Sequence, residues 1–98
     1  MRIVTFRRNK EYTAEVPDTK TALEEWHHKV RKAEWENFQE MKQIFNSMDH
    51  AGNNRFIFNI KGNQYRLIAI VIFASQKVYI RFIGSHSEYD RIRDYSTI

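Results

Sequence analysis

"RFIFNIKGNQYRLIAIVIFASQKVYIRFIG", residues 55–84, decides the fold. Three runs rich in β-branched and aromatic residues lie within it: "RFIFNI" (55–60), "QYRLIAIVIF" (64–73) and "KVYIRFIG" (77–84). Runs of this kind, bounded by turn signals, read as strands joined into hairpins. Gly62-Asn63 supplies a tight turn between the first two, and "ASQK" turns the second into the third. The middle run is apolar on both faces except at Arg66. That is the pattern of a central strand covered on both sides, or of one awaiting a partner.

Register follows from the turns. The Gly62-Asn63 turn places Ile60 opposite Tyr65 and Asn59 opposite Arg66. A four-residue turn at 74–77 places Phe73 opposite Val78 and Ile70 opposite Arg81. Opposed residues share a face and each strand alternates. One face then carries Phe56, Phe58, Ile60, Tyr65, Leu67, Ala69, Val71, Phe73, Val78, Ile80 and Phe82, and helices should cover it. The second face carries Arg55, Ile57, Asn59, Arg66, Ile68, Ile70, Ile72, Tyr79, Arg81 and Ile83. This register sets residue 85 opposite Arg66, so "SHSEYD" (85–90) emerges beside a guanidinium.

The N-terminal half reads as helical. "MRIVTF" is a short strand candidate, and "RRNKEYTAEV" a short helix ending before Pro17. Asp18 or Thr19 can cap a long helix in which Leu23, Trp26, Val30 and Ala33 recur at helical spacing. "NFQEMKQIF" repeats that spacing with Phe38, Met41 and Phe45, and "NSMDHAGNN" reads as loop.

Composition narrows the class. A chain of 98 residues fits one domain, residues 1–98, with a flexible tail expected after about residue 92. At 42% hydrophobic and 14% aromatic it can build a core. With no cysteine there are no disulfides, zinc-cysteine sites or thiol nucleophile, which fits a reducing, cytoplasmic setting. "MRIVTFRRNK" lacks the apolar core of a signal peptide, and Leu67–Ala74 is too short to span a bilayer, so no membrane role is expected. The net charge of +4 is uneven: residues 1–10 carry four positive and no negative groups, 11–60 six and nine, 61–98 six and three. If the basic ends share one sheet, that sheet is a cationic platform suited to a polyanion.

Cleaving RNA by attack of its 2′-hydroxyl needs a base, an acid and a cation for the phosphate. Histidine suits either proton role, and arginine suits the phosphate with a planar, permanently charged fork. His86, Tyr89 and Asp90 offer proton chemistry; Arg66, Arg81 and Lys61 offer cations. Each has a plainer reading. Arg66 can snorkel or pair with Asp90, Arg81 can be solvated surface, Tyr89 can be packing, and Asp90 can cap a C-terminal helix. No metal or cofactor is expected. His27 and His28 are adjacent on a helix and point about 100° apart, a poor metal pair.

The stretches "KAEWENFQEMKQIF", "GNNRFIFNIKGNQYRLIAIV" and "QKVYIRFIGSHSEYDRI" resemble the HigB toxins of bacterial type II toxin–antitoxin modules, within the RelE-like group. The resemblance covers roughly residues 1–92. It implies an α+β, microbial-RNase-like fold, an antiparallel sheet with N-terminal helices packed on one face. It implies a metal-independent endoribonuclease that cuts messenger RNA on the translating ribosome. It also implies neutralisation by a HigA-type helix-turn-helix antitoxin, through which the complex reaches operator DNA. On that reading Arg66 in "YRL" resembles the phosphate-binding arginine, and His86 and Tyr89 the proton-transferring side chain and the tyrosine. Lys61 resembles the basic residues of the hairpin. Arg81 and Asn59 are expected on the RNA backbone, with Asp90 orienting His86 or Arg66. The rival reading is a non-catalytic RNA- or protein-binding module acting within a repressor complex.

Overall fold

The computed structural model describes residues 1–5, 16–62 and 64–98. Its centre is the strand carrying Arg66. β1 (Arg2–Thr5), β2 (Asp49–Gly52), β3 (Arg55–Ile60), β4 (Tyr65–Ile72) and β5 (Lys77–Ser85) form one five-stranded sheet in the order β1-β5-β4-β3-β2. The strand that is apolar on both faces is therefore the middle one. β2 to β5 pair antiparallel, while β1 joins the edge of β5 in parallel. The helix expected over residues 7–16 falls almost wholly outside the described residues.

Two helices lie on one face. α1 (Lys20–Lys32) follows a 3-10 turn at Pro17–Thr19, and α2 (Phe38–Ile44) follows after a short link. The expected helical spacing holds: α1 buries Leu23, Trp26 and Val30, and α2 buries Met41. These pack on Phe56, Phe58 and Ile60 of β3, Leu67, Ala69 and Val71 of β4, and Val78 and Ile80 of β5. An edge-to-face chain of rings crosses this core, from Trp26 to Phe58 (5.4 Å), Phe58 to Phe45 (5.1 Å) and Phe45 to Trp35 (5.9 Å). Such pairs contribute about 0.5–1.5 kcal/mol each beyond the area they bury. They bind both helices to β3.

Neither Asp18 nor Thr19 caps α1 as the sequence reading expected. Thr19 is the residue before the helix, yet its hydroxyl donates to the Val16 carbonyl at 2.8 Å, and Asp18 pairs with Lys61. The α2 cap is regular: Asn37 Oδ1 accepts from the Glu40 amide at 3.0 Å. The segment read as loop around residue 50 contains β2. Its hairpin to β3 turns on Asn53 and Asn54, both at positive φ (50° and 62°). Asparagine tolerates that region, which the right-handed twist of a two-residue hairpin demands.

The β3–β4 register is the expected one, with Ile60 opposite Tyr65 and Asn59 opposite Arg66. The β4–β5 register departs from expectation twice. The turn closes one residue earlier in β4, so Ile72 faces Lys77 and Ile70 faces Tyr79 rather than Arg81. That two-residue offset keeps every side chain on its face. A bulge then leaves Arg81 unopposed, with Ala69 facing Ile80 and Ile68 facing Phe82. One extra residue inverts the remainder of β5. Ile83, expected on the second face, joins the helix-covered core opposite Leu67, and Phe82 turns to the second face.

Candidate functional site

The bulge leaves Gly84 opposite Arg66 and Ser85 opposite Tyr65. A β-carbon on Gly84 would stand 2.5 Å from Phe82 Cζ and 3.2 Å from Glu88 Cβ. A side chain here would have to displace the Phe82 ring, which with the next helix closes over the strand end. That helix, α3 (His86–Asp90), starts on a capping box. Ser85 Oγ accepts from the Glu88 amide at 3.2 Å, and Glu88 Oε1 accepts from the Ser85 amide at 3.0 Å. The Ser-x-x-Glu spacing at 85–88 is its sequence signature. The His86 amide donates to the Gln64 carbonyl at 3.1 Å, tying the helix start to the β3–β4 hairpin.

This anchoring brings three of the candidate side chains together. The Arg66 guanidinium carbon lies 5.7 Å from the Tyr89 ring centre, and the His86 and Tyr89 ring centres are 6.3 Å apart. His86 Nε2 lies 3.3 Å from Asp90 Oδ2, one helical turn on, with both side chains more than half exposed at 53% and 58%. Asp90 therefore pairs with the histidine. The helix cap that Asp90 was alternatively expected to make is supplied by Ser85 instead.

Tyr89 is the most perturbed group here. Burial, and then the neighbouring Tyr95 hydroxyl, push its pKa up to about 12, while Arg66 pulls the other way. It remains a proton-bearing phenol across the physiological range. Tyr95 stacks on it with ring centres 4.4 Å and planes 6° apart.

The other candidates spread outward. Asn59 faces Arg66 across the ladder, and its amide donates to the Ser47 carbonyl at 3.1 Å. Lys61 stands at the hairpin with φ +53° and forms an ion pair with Asp18, whose carboxyl this contact holds below its ordinary pKa. Arg81, displaced by the bulge, donates from Nε to the Ile98 backbone oxygen at 3.3 Å. Arg55 donates to the same oxygen from Nε at 3.3 Å and Nη2 at 3.1 Å. Sequence reasoning placed Arg55 on this face but did not single it out, and it passed over Tyr95. Only the course of residues 91–98 brings either one to the site. Among the described residues no three His, Asp or Glu side chains gather as a metal-binding group, and no helix is long and apolar enough to cross a membrane.

The sheet, its one-sided helices and a cationic strand end define a RelE-like toxin domain. The family model for HigB toxin, the RelE-like toxic component of a toxin–antitoxin system, matches residues 19–92. The mRNA interferase toxin HigB of Escherichia coli K12 is 33% identical over 92 residues, covering 92% of this chain and 88% of that protein. The mRNA interferase HigB of Shigella flexneri matches to the same extent. That of Escherichia coli O6:H1 is 24% identical over 97 residues, covering 97% and 94%. The chain belongs to the HigB toxin family.

Proposed function

We propose that the chain is an endoribonuclease that cleaves translated messenger RNA on the ribosome by 2′-hydroxyl attack. The observation that carries this reading is the meeting of Arg66, Tyr89 and His86 at one end of the sheet. It is a constellation with a phosphate-binding cation, a phenol that holds its proton and an imidazole. The activity of the relatives named above, mRNA interferase, supports it.

Arg66 clamps the scissile phosphate and stabilises the charge that builds on it. Its position over the Tyr89 ring limits its rotamers, so little ordering remains to be done when RNA arrives. His86 takes the 2′ proton or returns one to the leaving 5′ oxygen, and Asp90 steadies the imidazolium in either role. Tyr89 positions the phosphate or donates to it. Arg81 binds the RNA backbone. Lys61 and Asn59 extend the contact along the hairpin, where Asp18 and the Ser47 carbonyl compete with RNA for them. The chemistry assigned to these side chains calls on no metal. Neutralisation falls to a HigA-type helix-turn-helix antitoxin, which links the pair to operator DNA.

Mapping of 5′ ends in messages after induction tests the reading. New ends should appear within translated frames, and they should vanish when initiation is blocked. Intact messages under a growth arrest would instead support a non-catalytic RNA- or protein-binding module.

A further inference from the structure

Residues 93–98 lie beyond the stretch that the family model matches, yet they fold back over the second face of the sheet. Two independent contacts hold them there. The Ile98 backbone oxygen accepts from Arg55 on β3 and Arg81 on β5. Three residues earlier, the Tyr95 ring lies flat on Tyr89. Between these points Asn53 Nδ2 donates to the Ser96 carbonyl at 3.2 Å, and Asp94 Oδ1 accepts from the Ser96 amide at 3.0 Å and its hydroxyl at 2.6 Å. The segment contains neither helix nor strand.

The chemistry at both points is that of a nucleotide. One oxygen shared by two guanidinium groups from different strands is the arrangement a phosphate oxygen seeks. A flat ring parallel to a tyrosine is the arrangement an unstacked base seeks.

We infer that residues 95–98 occupy an RNA subsite made of the Arg55–Arg81 pair and the Tyr89 ring face, and that single-stranded RNA displaces them as it binds. The inference rests on the RNA-cleaving reading and extends its site by Arg55. The tail is then a competitor built into the chain. It lowers apparent RNA affinity by the fraction of molecules in which the subsite is covered.

The test uses the full chain and a 2′-O-methyl RNA oligonucleotide, which binds but offers no 2′-hydroxyl for attack. Adding it should speed amide hydrogen exchange across residues 95–98. Tyr95→Ala should tighten its binding about threefold to tenfold by uncovering the subsite. Asn53→Gly keeps the positive φ at that position and removes only the amide on Ser96; it should act in the same direction, even if the tyrosine variant misfolds. In either background Arg55→Ala should weaken binding about tenfold, the loss of one charge-assisted contact. Binding with unchanged exchange at 95–98 and unchanged affinity in both variants would overturn the inference while leaving the RNA-cleaving reading intact. A chain that neither binds the oligonucleotide nor cuts translated messages would remove that reading first, and this one with it.

Discussion

The Arg66 guanidinium carbon lies 5.7 Å from the centre of the Tyr89 ring. The two residues come from β4 and α3, so their contact joins the central strand to the short helix that carries His86 and Asp90. A planar guanidinium can stack on the ring and still present its edge to a phosphate, and an ammonium cannot. Arg66→Lys should therefore keep the fold and still lose about 10²-fold or more in cleavage rate. Single-turnover cleavage beside near-ultraviolet circular dichroism checks both halves.

His86 and Asp90 are solvent-exposed and face each other across one helical turn at 3.3 Å. An exposed pair contributes little to stability, within about 0.5 kcal/mol. His86→Ala and Asp90→Asn should thus leave Tm nearly unchanged. The histidine variant should lose at least about 10²-fold in cleavage, the usual share of one acid–base group. The aspartate variant should lose less, since it removes only the partner that steadies the ring. Full cleavage in that variant would argue that Asp90 does not support His86.

The raised pKa of Tyr89 gives the fold a defined alkaline weakness. The folded site favours the neutral phenol, whereas the unfolded chain ionises near the ordinary tyrosine value of about 10. The stabilisation is complete below that value and declines as pH rises toward the folded value of about 12. Urea midpoints measured between pH 9 and pH 12 should fall more steeply for the unaltered chain than for Tyr89→Phe, which has no phenolic proton to lose.

Gly84 tests the closing of the strand end. Gly84→Ala sets a methyl 2.5 Å from Phe82 Cζ. Overpacking of this kind costs about 1–3 kcal/mol. The forced movement also disturbs α3, so Tm and cleavage rate should fall together. A variant with full activity would show that the Phe82 ring swings aside freely.

Most of this architecture was legible because hydrophobic period and turn chemistry agreed. Leu23, Trp26, Val30 and Met41 marked the helical faces. The turn read at Gly62-Asn63 set Asn59 against Arg66, the register observed. Three things were hidden. The bulge at Arg81 has no marker in "VYIRFIG", since arginine is no turn residue, and it is what exchanged Phe82 for Ile83. β2 was missed because "DHAG" has little strand propensity, and its pairing to β3 depends on Asn53 and Asn54 accepting positive φ. The course of residues 91–98 was illegible because its anchors, Arg55, Arg81 and Tyr89, are distant in sequence. The site survived the register error because the two-residue offset at the turn and the one-residue bulge largely cancel at the Arg66 end.

The central claim is that Arg66 and His86 act on one phosphate in one site. The most direct measurement is a double-mutant cycle on single-turnover mRNA cleavage with Arg66→Ala, His86→Ala and the pair, each variant shown to be folded. Groups that act as a unit are strongly non-additive. The expected result is that either single substitution removes nearly as much rate as both together. Unaltered cleavage in either single variant, or losses that simply multiply in the double, would contradict the claim.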